Sequence, residues 1–148
     1  MDLSKLGKPD LTIAGLKVWV HGREFENTED YWDGNWLRVT ANCVDEGASV
    51  TVTGPIIHLG EIVQLMTACE TMNKTLSGSA SLPCLEPGLD VKLVAGDHGD
   101  IAATLEITPD HLTQAHSFTF EIDQSYLPGI VDHCRRILEE YPVRGERP

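Results

Sequence analysis

Positive charge is scarce in this chain. Eleven Lys plus Arg stand against 23 Asp plus Glu in 148 residues, a formal net charge of −12. A field of that sign repels phosphate backbones and anionic lipid, so nucleic-acid binding and attachment to an acidic membrane surface are disfavoured. Long apolar runs are missing too: nothing approaches the roughly 20 residues of a membrane-spanning helix. The opening Met1-Asp2-Leu3-Ser4-Lys5-Leu6-Gly7 lacks the apolar stretch of a secretory leader, and the expectation is a cytoplasmic protein. The four cysteines, Cys43, Cys69, Cys84 and Cys134, form no C-x-x-C pair that would suggest zinc or dithiol redox chemistry. No G-x-S-x-G elbow, Walker A loop, G-x-G-x-x-G or H-E-x-x-H occurs. Asp97-His98-Gly99-Asp100 reads more simply as a polar turn than as a cation site. The reading is therefore a non-enzyme with no catalytic residue, no metal and no cofactor. An enzyme or small-ligand binder would need a deep pocket where His58 or His98 meets several carboxylates.

What is present suffices for one folded unit. Hydrophobic residues make up 41% and charged residues 23%, which supports a core without disulfides or metal. Residues 1–10 read as a loose arm. Residues 11–20 read as one strand, with Leu16, Val18 and Val20 on one face and Trp19 on the other. Residues 21–34 form a polar loop. Residues 36–44 and 48–52 make a hairpin about Asp45-Glu46-Gly47. Near 61–76 the period changes: Ile62, Leu65, Met66, Cys69 and Met72 recur at helical spacing. Extended stretches return at 80–85, 89–95, 101–107 and 117–123. The clearest element is a closing helix over 125–141, where Leu127, Ile130, Val131, Cys134, Ile137, Leu138 and Tyr141 form one stripe. Ser125 is its expected N-cap, Pro128 lies in its first turn and Pro142 ends it. Strands 11–123 with an inserted helix, then a closing helix, predict an α+β single domain over 1–148. It is mainly antiparallel, with about seven strands and two amphipathic helices.

Chemistry concentrates in one loop. Glu24, Glu26, Glu29, Asp30 and Asp33 alternate with Phe25, Tyr31 and Trp32, and Arg23 is the only base nearby. Aromatic rings give contact area at low entropic cost, and carboxylates match Lys and Arg on a partner. Glu24, Glu26, Glu29, Asp30, Tyr31 and Asp33 are the candidate partner-binding residues. Solvation alone explains the carboxylates equally well, and Trp36 is expected in the core.

Three segments resemble the WapI family of bacterial immunity proteins. Asp30-Tyr31-Trp32-Asp33-Gly34-Asn35-Trp36-Leu37 is similar to the family's D-x-W-D-x-x-W-L signature, and Leu85-Glu86-Pro87-Gly88-Leu89 to its L-E-P-x-L turn. Leu138-Glu139-Glu140-Tyr141-Pro142-Val143-Arg144-Gly145 is similar to its closing helix and P-x-R-G tail. The resemblance implies a cytoplasmic antidote that binds and neutralises the toxin domain of a WapA-type contact-dependent toxin. Such domains are commonly basic nucleases, and the implied mechanism is occlusion of the groove that nucleic acid would enter. The resemblance assigns no binding residue. The alternative is a non-catalytic regulatory or structural interaction module, such as a homodimer formed through an exposed sheet edge.

Overall fold

The computed structural model describes residues 2–148. Eight strands fall into two four-stranded antiparallel sheets. The first contains β1 (Leu11–Ile13), β2 (Leu16–Arg23), β3 (Trp36–Asp45) and β4 (Ala48–His58), with the helical turn α1 (Tyr31–Gly34) between β2 and β3. Helix α2 (Leu59–Thr75) leads to the second sheet, β5 (Ser79–Leu82), β6 (Leu89–Ala95), β7 (Asp100–Ile107) and β8 (Ser117–Asp123), and α3 (Leu127–Glu140) follows. In both sheets the strand order is the chain order, so each is a meander closed by a helix. Antiparallel neighbours need only short connections, which is why turn signals alone could delimit most strands. The α+β class and the antiparallel sheets agree with the sequence reading. Eight strands replace about seven because 11–20 is two strands.

That division occurs at Ala14-Gly15. Ala14 takes a positive φ of 51°, and the chain reverses so that Leu11 pairs with Val18 and Ile13 with Leu16. The turn is hidden in the sequence because apolar residues continue through it. β4 also runs six residues past the expected 52, straight through Pro55. As the edge of its sheet, β4 can carry a proline whose missing N–H breaks no ladder bond. Residues 2–10, read as a loose arm, hold a short 3-10 turn at Leu3–Leu6 and are tied to β2. Trp19 Nε1–H donates to the Gly7 carbonyl at 3.0 Å, and the Asp10 carboxylate accepts the Val20 N–H at 2.7 Å. Met1 lies outside the described residues.

Inner-face residues of both sheets and the apolar stripes of α2 and α3 form one continuous core. On α2, Ile62, Leu65, Cys69 and Met72 are buried; on α3, Leu127, Ile130, Val131, Cys134 and Ile137 are. Desolvation pushes the Cys134 thiol up to about 12, so it is a small apolar filler and not a nucleophile. Ser125 is not the cap of α3. The Asp123 carboxylate accepts the Ser125 N–H at 2.8 Å and its hydroxyl, capping a 3-10 turn at Gln124–Tyr126 from which α3 emerges without a side-chain cap. Trp36, expected in the core, is half-buried with its ring edge-on to His58, whereas Trp19 is the tryptophan that is buried.

Gly15 shows how tightly the two sheets meet. A Cβ there would lie 2.2 Å from the Val44 carbonyl oxygen and 2.7 Å from the ring of Phe120 on β8. Gly15→Ala should therefore cost about 3 kcal/mol in urea unfolding, because backbone and an aromatic ring must both move. A loss below about 1 kcal/mol would show that the contact between the sheets yields easily.

Candidate partner-binding surface

The acidic loop is held by a clasp. Asn35, fully buried, follows α1 and uses its whole side-chain amide. Its Nδ2 donates to the carbonyls of Tyr31 (2.7 Å) and Arg144 (2.8 Å). Its Oδ1 accepts the Arg144 N–H at 2.8 Å and the Arg23 guanidinium at 3.3 Å. The Asn35 carbonyl accepts the Leu59 N–H at 2.8 Å, where α2 begins. The two arginines complete the clasp. Arg23 donates to the carbonyls of Gly34 (2.7 Å) and Pro142, and Arg144 to those of Glu26 (2.7 Å) and Thr28 (3.2 Å). Gly145 must stay small: its φ is +67°, and a Cβ would lie 2.9 Å from the Glu29 carbonyl oxygen.

The six candidate residues separate into four roles. The Asp30 carboxylate caps α1, accepting the N–H groups of Trp32 (3.0 Å) and Asp33 (3.1 Å). Glu24 is half-buried and pairs with Arg38 at 2.9 Å. Glu26, Glu29 and Asp33 are exposed and, among the described residues, form no ion pair. Tyr31 turns inward against His58, with ring centroids 5.1 Å apart.

His58 organises the floor of an adjoining cleft. Its Nδ1 accepts the Gly60 N–H at 3.0 Å, so its Nε2 carries the proton and donates to the carbonyls of Tyr31 (3.1 Å) and Trp32 (3.2 Å). Glu61 answers from the first turn of α2, accepting the His58 N–H at 2.8 Å and the Leu85 N–H at 2.9 Å. Burial lowers the His58 pKa against the pull of its two carbonyl partners, and burial raises that of Glu61. The pair forms the capping box of α2. His98 stands apart in an exposed turn, where its N–H donates to Asp100 at 3.0 Å. Among the described residues no group of three or more His, Cys, Asp or Glu is placed to hold a metal ion.

The cleft holds about 280 Å³ and is walled by Tyr31, Trp32, Pro83, Leu85 and Arg147. Leu85 is 71% exposed and Trp32 40%, and the Arg147 guanidinium lies 5.7 Å from the centre of the Trp32 ring. A neighbouring depression shares Tyr31, Gly60, Gln64 and Arg147 and adds the exposed Val63 and Val143. Sequence reasoning missed this apolar surface because its members come from α1, α2, the β5–β6 turn and the tail. The local signals are Tyr31-Trp32 in the acidic loop and the turn Leu85-Glu86-Pro87-Gly88, and nothing in their spacing links the two.

Comparison with known proteins gives a family and a loose structural likeness. The sequence profile of the family described as "Immunity protein WapI-like family" matches residues 9–142. No curated protein sequence matches. Among solved structures, the plant transcriptional regulator PBF-2 shares 8% identity over 83% of this chain and 74% of its own, with a TM-score of 0.49. WHY1 from Arabidopsis thaliana shares 12% identity over 83% of this chain and 81% of its own, also with a TM-score of 0.49.

The neutral, buried imidazole has a consequence for pH dependence. With the His58 pKa lowered from 6.5, the unfolded chain takes up a proton first on acidification, so its contribution is complete above pH 6.5 and declines below it. Glu61, raised from 4.5, acts oppositely, because ionising it above that value costs the folded state more than the unfolded one. His58→Asn retains a capping side chain without the titration. Urea midpoints measured from about pH 7 to pH 5 should fall more steeply for the native protein than for this variant. Parallel curves would show that His58 is not the titrating group.

Proposed function

We propose that this chain, which belongs to the WapI-like immunity protein family, binds a cognate toxin domain and neutralises it by covering the groove in which that domain works. The observation that carries the reading is a set of exposed carboxylates, without an ion pair among the described residues, on a loop braced by hydrogen bonds. Glu26, Glu29 and Asp33 project from a loop whose carbonyls are held by Arg23, Asn35 and Arg144. A loop fixed in this way loses little conformational entropy on binding, and its charges steer a cationic partner into place.

The partner on this reading is a basic protein domain of nuclease type, and the net charge of −12 supplies the long-range attraction. The protein acts in the cytoplasm, without catalysis and without touching nucleic acid or membrane; it wins the toxin's cationic groove from nucleic acid by filling it. Among the described residues no helix is long and apolar enough to cross a membrane. Affinity purification from the native cell, with this protein as bait, should recover a basic toxin domain. Recovery of the bait alone from cells that make such a toxin would favour self-association instead.

The recovered toxin domain then serves as the probe for the loop. Glu26→Gln, Glu29→Gln and Asp33→Asn combined should slow association about tenfold at low ionic strength and flatten its salt dependence. The melting temperature should hardly change. Asp30 and Glu24 are left intact because each has a structural partner. An unaltered association rate would remove the loop from the interface.

A further inference from the structure

The cleft beside the acidic loop has an occupant already. Arg147, from the tail just beyond the clasp, lays its guanidinium over the face of Trp32 and, among the described residues, has no ion-pair partner. A cation over an exposed indole is held by the ring quadrupole, only weakly while both remain in water. The surroundings favour positive charge. Glu61 lines the cleft, the exposed Glu86 is close enough to act on it electrostatically, and Asp33 follows Trp32 on α1. His58, kept neutral by burial, adds no opposing charge. Beside the ring, Leu85, Val63 and Val143 offer apolar contact to whatever flanks the cation.

We propose that this cleft is an arginine-binding subsite: a partner's arginine, flanked by an apolar residue, takes the Trp32 face that Arg147 covers in the free protein. The assignment rests on the reading of a basic protein partner and names the side chain that partner presents. Arginine fits better than lysine because a planar, weakly hydrated guanidinium stacks on an indole, whereas an ammonium keeps its water. The tail residue then acts as a weak internal competitor, lowering apparent affinity by the fraction of time it covers the ring.

The test needs no toxin. The folded protein is titrated with the blocked dipeptide acetyl-Arg-Leu-amide, following the Trp32 indole N–H by NMR, with acetyl-Lys-Leu-amide as the comparison. The arginine peptide should shift that resonance saturably and bind more tightly than the lysine peptide. Arg147→Ala should tighten it about two- to five-fold. Trp32→Leu, which keeps an apolar side chain but removes the ring quadrupole, should abolish the preference for arginine, read from the backbone amide shifts of Tyr31 and Asp33. Equal binding of the two peptides, no shift at Trp32, or indifference to Arg147→Ala would each overturn the subsite. Those failures differ from failure of the functional reading. A toxin domain that binds native protein and Trp32→Leu equally would refute the arginine subsite and leave immunity standing. An arginine peptide that binds Trp32 in a protein which captures no toxin would do the reverse.

Discussion

The surface rests on one buried amide. Asn35 links three parts of the chain that meet nowhere else in sequence: the loop ahead of β3, the first residue of α2 and the tail beyond α3. Its exchange with Arg144, N–H to Oδ1 and Nδ2 to carbonyl, spans 109 residues and imitates a pair of strand hydrogen bonds. An apolar residue at 35 would strand the donors and acceptors that face it, each unsatisfied group costing about 1–3 kcal/mol. Arg23 and Arg144 extend the same logic by satisfying loop carbonyls that no sheet or helix reaches. Without these contacts residues 24–30 would be a solvated acidic connection; with them they form a fixed array.

This division of labour explains why the segments that resemble the immunity family say little about what is bound. Asn35, Arg144 and Gly145 belong to the clasp, and Asp30 spends its carboxylate on a helical turn. Leu85 shows both sides of the arrangement, its N–H spent on Glu61 while its side chain faces solvent. The side chains free to meet a partner stand between the structural ones: Glu26, Glu29 and Asp33 on the loop, Trp32 and Leu85 at the cleft. A scaffold of this kind can change its exposed residues without disturbing the hydrogen bonds that hold them in place.

How far the fold could be read from the sequence depended on how local each signal was. The stripes of α2 and α3 and the alternation of β6 and β7 are periodic within a few residues, and they lie where that period puts them. The turn at Ala14-Gly15 was invisible because apolar residues continue through it, and β4 ran on because an edge strand can absorb Pro55. Burial of a ring depends on what covers it: Trp36 meets His58 and stays half-buried, while the residues before β1 cover Trp19. The acidic loop was legible for the same reason the helices were, since its members are consecutive. The cleft and the clasp were not, because each assembles residues over 100 positions apart, and no spacing rule reaches that far.

The claim on which the account turns is that the clasp, and not the loop's own sequence, orders the acidic surface. Amide hydrogen exchange in native protein and in Asn35→Ala tests it directly. The N–H groups of Trp32, Asp33 and Gly34, all bonded to Asp30, and that of Arg144, bonded to Asn35, should be protected in native protein. In the variant these four should lose protection, while amides of Leu93 and Ala103 in the second sheet keep theirs. Loop amides that exchange equally slowly in both proteins would show that the loop orders itself and that the clasp is incidental to the surface it borders.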